Sequence, residues 1–313
     1  WAFPLPVVER GAAGKVQRIA RHAQRVVCWV VTLTLVAVIG IGTYMYTANA
    51  AALKDDSAGV VRWLAAETTP DDRVYVDTPH PFHYYADRIP APLRYLFVDI
   101  HTAAADLTAE VAGRRRVYWV TWYGSDTDPR GVVPFLFDKV ALRGGERDFR
   151  GYHVTWWELP QGGVQLSLPD SLTPVDLVFG EVIRVDGVAY GATCRAGDAT
   201  WATLHFALTR NTGVDYRASL RLRDAAGDML PPTDRDVLND RHLRTSAWPV
   251  EDARLNQAIN VYTLPVPSDA RPGDYRLELV VYDAATLAGL PVAGVASADG
   301  VSALLGTVNV RSP

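Results

Sequence analysis

Two histidines three residues apart, His80 and His83, stand close to Asp77 and are followed by Tyr84, Tyr85, Asp87 and Arg88. Imidazole and carboxylate in one stretch raise metal binding first. A metal site needs three or four converging ligands with a second layer of hydrogen bonds behind them. Pro81 also keeps His80-Pro81-Phe82-His83 out of a regular helix. No metal, cofactor or catalytic residue is therefore assigned. Tyr and His pair an apolar face with a hydrogen-bonding tip, which suits a sugar or an interfacial lipid headgroup. The stretch follows a short strand, and ligands of open α/β sheets collect at the carboxyl ends of strands. Two readings stay open for His80, His83, Tyr84, Tyr85 and Arg88. One is contact with a ligand such as a glycan or lipid-linked sugar; the other is docking onto a membrane part of the protein.

Other chemically capable residues read as structure. Trp119, Trp122, Trp156 and Trp157 lie on strands with apolar neighbours, which favours a core over an aromatic sugar platform. Asp55-Asp56 and Asp71-Asp72 are adjacent in sequence, an arrangement that caps helices and shapes turns more often than it performs acid–base work. The chain carries no G-x-S-x-G, P-loop, H-E-x-x-H or paired C-x-x-C motif.

Two periodicities must position these residues. From Asp56 to about Pro160 helix and strand alternate. Ser57–Glu67 places Val60, Val61 and Leu64 at helical spacing, and Pro70-Asp71-Asp72 turns the chain. Val74–Val76 and Arg94–Val98 read as strands, Thr102–Ala112 as a helix closed by Gly113, and Arg116–Trp122 as a strand covered on both faces. Gly131–Leu142 reads as a helix opened by Asp128-Pro129, and Tyr152–Glu158 as a closing strand. From Val164 onward period two takes over. Val214–Arg223 and Asp274–Asp283 alternate apolar with polar residues, and Val175–Phe179, Val182–Tyr190, Trp201–Leu208, Asn260–Leu264 and Leu304–Val310 complete a set of short strands. This predicts a small α/β domain over residues 47–160 and an antiparallel β-sandwich over 164–313.

Residues Val26 to Tyr46 contain no charge, and at about 1.5 Å per residue they span the ~30 Å of a bilayer's hydrocarbon core. Arg10, Lys15, Arg18, Arg21 and Arg25 precede this run against one acid, Glu9. Lysine and arginine stay preferentially on the cytoplasmic side, so residues 1–25 are expected inside, 26–46 in the bilayer and 47–313 extracytoplasmic, at the cell membrane. Two other readings compete. A buried core helix would be shorter and carry a polar stripe. A signal peptide would be cleaved near Ala48-Asn49-Ala50, but the apolar run exceeds the roughly 7–15 residues of a signal core. The overall charge of −4 divides into +4 over residues 1–25 and −8 over the remainder. An acidic exterior without a basic stripe argues against nucleic acid as a partner. Cys28 lies in the span and Cys194 far outside it, so they do not bridge within one chain.

The order of parts, and segments such as Lys54–Leu64, Pro70–Asp77, Arg115–Trp122, Asp128–Gly131 and Leu136–Lys139, resemble the C-terminal end of bacterial GT-C superfamily membrane glycosyltransferases. The relatives in question are glycosyltransferase family 39, dolichyl-phosphate-mannose protein mannosyltransferases and lipid A aminoarabinose transferases. Some members carry a terminal β-sandwich with segments like Val175–Gly180 and Pro272–Glu278. The resemblance implies transfer of a sugar from a polyprenyl-phosphate donor on the outer face of the membrane. In that family the catalytic acid lies in the first exterior loop, near the start of the protein, so no catalytic residue is carried onto this sequence. The chain opens on Trp1 rather than methionine, and an upstream membrane region of the same protein is the expected partner, besides the bilayer. The rival expectation is a single-pass anchored protein whose sandwich binds carbohydrate or a protein.

Overall fold

The computed structural model describes residues 10–48, 54–125, 127–294 and 299–313. Residues 1–9 of the basic segment and Asn49-Ala50 of the cleavage-like tripeptide lie outside the described residues. The chain divides into two units, residues 1–55 and 56–313.

Among the described residues, the first unit forms one helix, α1 (Arg10–Ala48). Within it Gln24–Met45 is long and apolar enough to cross a membrane. Thr32 and Thr34 donate their hydroxyls back to the carbonyls of Cys28 and Val30, each at 2.8 Å. Such back-bonding satisfies both threonine hydroxyls within the helix, where hydrocarbon offers no other acceptor.

The second unit opens at Asp56, whose carboxylate accepts the Gly59 amide at 2.8 Å and caps α2 (Ser57–Glu67). Five strands follow: β1 (Arg73–Val76), β2 (Leu93–Tyr95), β3 (Arg116–Trp122), β4 (Leu142–Phe149) and β5 (Tyr152–Glu158). They form one sheet in the order β2-β1-β3-β5-β4, parallel across β2-β1-β3 and antiparallel across β3-β5-β4. Alternation along β1 and β3 sorts two cores. Val74, Val76, Tyr118 and Val120 pack with Val60 and Leu64 of α2. Tyr75, Val117 and Trp119 pack on the opposite face with α4 (Ala103–Val111) and α5 (Val132–Asp138). Covering both faces explains the near-continuous apolar reading of β3. Trp119 and Trp157 are core residues and Trp156 is partly buried against Trp63, whereas Trp122 is exposed at the strand end.

Three local expectations need correction. The helix expected over Gly131–Leu142 ends at Asp138, and the chain then forms strand β4, which the sequence reading left out. That strand is an exposed edge with Gly144-Gly145 in its middle, so it lacks the apolar alternation of a half-buried strand. The glycines are required: side chains at either position would collide with the Trp156 ring. Pro81 does not exclude a helix, because Pro79–His83 forms one turn, α3, with Pro79 at its start. Amides of a first turn have no partner four residues back, so proline costs nothing there. The second strand is shorter than Arg94–Val98, ending at Tyr95.

Among the described residues, ten further strands follow Glu158: β6 (Thr173–Phe179), β7 (Ile183–Tyr190), β8 (Thr193–Arg195), β9 (Ala199–Leu208), β10 (Tyr216–Arg223), β11 (Thr233–Asp236), β12 (Gln257–Pro265), β13 (Gly273–Asp283), β14 (Val292–Ala293) and β15 (Ser302–Arg311). Two five-stranded sheets result, β11-β10-β13-β15-β8 and β12-β9-β7-β6-β14, antiparallel except for the β15–β8 pair. Tyr216, Ala218, Leu220 and Leu222 of one sheet and Ala202, Leu204, Phe206 and Leu208 of the other fill the space between them. The mixed fold of an apolar helix, an α/β layer and a β-sandwich is therefore present.

The outer face of β9 and β12 does not meet solvent throughout. Val261, with Ile259 and Trp201 beside it, joins the core formed by α4 and α5. Arg130, just before α5, reaches across this seam to Asp240 Oδ1 at 2.8 Å and to the Ile259 carbonyl at 3.0 Å. His101 Nε2 meets the other Asp240 oxygen at 2.7 Å.

Candidate functional site

The carboxyl ends of the three parallel strands bring Val76 beside Tyr95 and Val120. Asp77 follows, nearly buried, and both its carboxylate oxygens accept the Trp122 amide at 2.9 Å. Burial pushes this carboxyl upward, against the bonds it receives from Trp122 and Ser125. Asp77 thus ties β1 to the loop after β3 rather than presenting an acid to solvent.

His80, His83, Tyr84, Tyr85 and Arg88 fall on α3 and the 3-10 turn Ala86–Arg88 behind it. Phe82 anchors this segment in the core, while His80, His83, Tyr84 and Arg88 are exposed. The His83 and Tyr84 rings lie 5.8 Å apart, and the Arg88 guanidinium sits 5.1 Å from the Tyr85 ring. These five residues lie along two successive turns, with Tyr85 partly buried against the core beside Phe82. Among the described residues, no group of three His, Cys, Asp or Glu side chains is placed to hold a metal ion.

On the antiparallel side of the same edge, Asp148 accepts the Tyr123 hydroxyl at 2.7 Å and meets His153 Nδ1 at 2.7 Å. Both partners hold the Asp148 carboxyl below its ordinary value, His153 the more strongly. The trio is solvent-exposed, so its bonds compete with water and organise the β4–β5 hairpin at little net gain.

A larger concavity lies at the seam between the α/β layer and the sandwich. Its volume is about 540 Å³, and its walls come from the end of α5, the start of β4, the β8–β9 turn and the end of β12. Asp138 accepts the Trp157 indole N–H at 2.6 Å and faces Arg143 Nε at 3.7 Å. Burial pushes the Asp138 carboxyl up, and Arg143 opposes it. Lys139 donates to the Ser167 carbonyl at 2.9 Å and lies 4.5 Å from the Trp201 ring centroid. Burial lowers the Lys139 ammonium. Cys194 lines the same wall, its thiol pushed up to about 11 by burial and by the nearby Asp198 carboxylate. The sequence reading missed this cleft, because its walls come from residues tens of positions apart and Lys139 was placed inside a continuing helix.

No protein-family model matches the chain, and no curated protein matches it in sequence. Solved structures give partial likenesses. The CARDB domain of a Pyrococcus furiosus protein aligns at 10% identity over 46% of this chain and 94% of that domain, with TM-score 0.23. The sporulation control protein Spo0M of Bacillus subtilis aligns at 12% identity over 42% of this chain and 50% of its own, with TM-score 0.20. A Bacteroides uniformis β-glucuronidase aligns at 8% identity over 47% of this chain and 19% of its own, with TM-score 0.23. At such scores these likenesses carry no argument about activity.

Proposed function

We propose that the chain is the noncatalytic exterior portion of a membrane glycosyltransferase that draws on a polyprenyl-phosphate sugar, with residues 47–313 on the outer face of the cell membrane. The observation that carries the reading is the order of parts. A helix whose run Val26–Tyr46 carries no charge and is preceded by basic residues leads into an acidic unit made of a mixed α/β sheet and a β-sandwich. The segments resembling GT-C enzymes fall on that scaffold: Arg116–Trp122 is the central strand β3, and Asp128 accepts the Val132 and Val133 amides that open α5. In this role the unit caps the membrane-embedded reaction site or holds the acceptor.

The test is transfer of radiolabelled sugar from a polyprenyl-phosphate donor by membranes containing the full gene product. Transfer that falls when residues 56–313 are deleted supports the reading. A start codon immediately before Trp1, together with no transfer, overturns it. A second reading, a single-pass anchored protein that binds carbohydrate or a protein, is favoured by the cleft at the seam. It predicts binding without transfer.

A further inference from the structure

We propose that the cleft between α5–β4 and the β8–β9 and β12 strands is a binding site for a short neutral saccharide. This gives the second reading a place and a ligand class, and it does not require the transferase reading. The cleft's volume, about 540 Å³, falls among those of small-molecule sites, and it lies at a boundary between packed layers, where such sites concentrate.

The lining decides the chemistry. Trp201 and Pro265 supply apolar surface, and around them stand Lys139, Arg143, Asp138 and Asp198. Two cations face two carboxylates, so the walls carry no charge excess that would select a phosphate or a metal. A lipid tail fares no better, since it would bury these charges without partners. A pyranose fits both halves of the lining. Its C–H groups pack on the apolar surface of Trp201 and Pro265 beside the Lys139 ammonium that lies over the indole, and each hydroxyl both donates and accepts, matching donors at Arg143 and acceptors at Asp198.

The site is also held in place before any ligand arrives. The Gly197 amide donates to the Val266 carbonyl at 3.0 Å, and the Val266 amide returns to Asp198 at 2.9 Å. That pair fixes the β8–β9 turn carrying Asp198 against the end of β12. Lys139 is fixed by Ser167 and Trp201, and Asp138 by Trp157. Arg143 and Asp198 remain exposed and able to meet a sugar.

The experiment places the full 313-residue chain, in lipid nanodiscs, on a glycan array. The probes are neutral mannose, glucose and N-acetylglucosamine di- and trisaccharides, with sialylated and sulfated glycans alongside. Binding of the retained saccharide is then titrated calorimetrically. Retention of neutral saccharides is expected, with Arg143→Ala and Asp198→Ala each weakening binding about tenfold, the loss of one charge-assisted hydrogen bond. Both side chains are exposed, so neither change should unfold the protein, which the thermal midpoint checks. Trp201→Ala should abolish retention, and if it unfolds the protein, the two exposed variants decide. No retention, retention of only anionic glycans, or equal binding by the Arg143 and Asp198 variants overturns the site. Each of those results leaves the transferase reading standing, because that reading is measured by transfer from a lipid-linked donor.

Discussion

Arg130 donates from Nη1 to Asp240 Oδ1 at 2.8 Å, joining the α/β layer to the β-sandwich through a side chain only 2% exposed. Asp240 sits nearer the rim. Burial raises its carboxyl, but the bonds from His101 and Arg130 outweigh this and hold it below its ordinary value. The seam is thus closed by an ion pair with one member sealed inside, bordered by the apolar contact of Val261 with the α4–α5 core.

Removing the Asp240 side chain should therefore cost more than an ordinary surface pair. Asp240→Ala leaves the Arg130 guanidinium buried with the Ile259 carbonyl as its remaining acceptor. The expected loss is about 3 kcal/mol, the lower end for breaking a buried pair, because Asp240 itself is partly solvated. Urea unfolding at pH 7 measures it. A loss below about 0.5 kcal/mol, the scale of a surface pair, would show that water already serves both charges.

A fully buried carboxylate, Asp72, binds the start of the α/β sheet together. It accepts Arg116 through Nε at 3.2 Å and Nη2 at 2.9 Å, the Thr69 amide at 2.8 Å and the Thr69 hydroxyl at 3.1 Å. Burial opposes its charge, yet these bonds hold its carboxyl below 3.8. A depressed folded value means the stabilisation is complete above the unfolded value and disappears as pH falls through the folded one. Asp72→Asn should cost about 3 kcal/mol at pH 7 and progressively less below pH 4. Urea titrations at pH 7 and pH 3 compare the two; an equal cost at both would sink the linkage.

These two pairs also mark what the sequence makes legible. Asp72 reads as a turn residue in Pro70-Asp71-Asp72, and local spacing is enough to place it. The strands β1, β3, β10 and β13 are legible too, since their apolar periods reflect which faces are covered. The partner of Arg130 is not legible, because it lies 110 residues away and pairing across a seam leaves no local period. Strand β4 was hidden for the opposite reason. An edge strand exposed on both faces has no apolar pattern, and its Gly144-Gly145 reads as a loop until the Trp156 ring is seen to need the space. The cleft at the seam combines both difficulties, since Lys139 and Trp201 meet only after the layers pack.

Cys194 gives a direct chemical readout of that cleft. With its thiol at about 11, roughly one in a thousand molecules carries the thiolate at pH 8, against about one in four for a free cysteine. The scarcity of thiolate slows reaction about 240-fold and the greater nucleophilicity of a more basic thiolate restores roughly tenfold, so a disulfide reagent in excess should react about twentyfold slower than with an unstructured cysteine. Asp198→Asn removes the repelling carboxylate and should accelerate labelling several-fold. Labelling at the rate of a free thiol would mean the wall of the cleft is open to water.

The slow reaction of Cys194 also makes the chain's orientation measurable, because it leaves little background for a cysteine placed elsewhere. On the proposed orientation, the basic residues Arg10, Lys15, Arg18, Arg21 and Arg25 before the charge-free run stay inside and the 56–313 unit lies across the membrane. Glu251 lies in an exposed turn before β12. Glu251→Cys should react at pH 7 with a membrane-impermeant maleimide added to intact cells, within minutes, while the parent chain stays largely unlabelled. Replacing the five basic residues by glutamine should reduce that outside labelling by half or more, since the bias that sets orientation is gone. Labelling of Glu251→Cys only in inverted vesicles would reverse the orientation, and release of the labelled unit into the medium would mean that the apolar helix had acted as a cleaved signal. Retention in the membrane with outside labelling meets the requirement of the proposed exterior module.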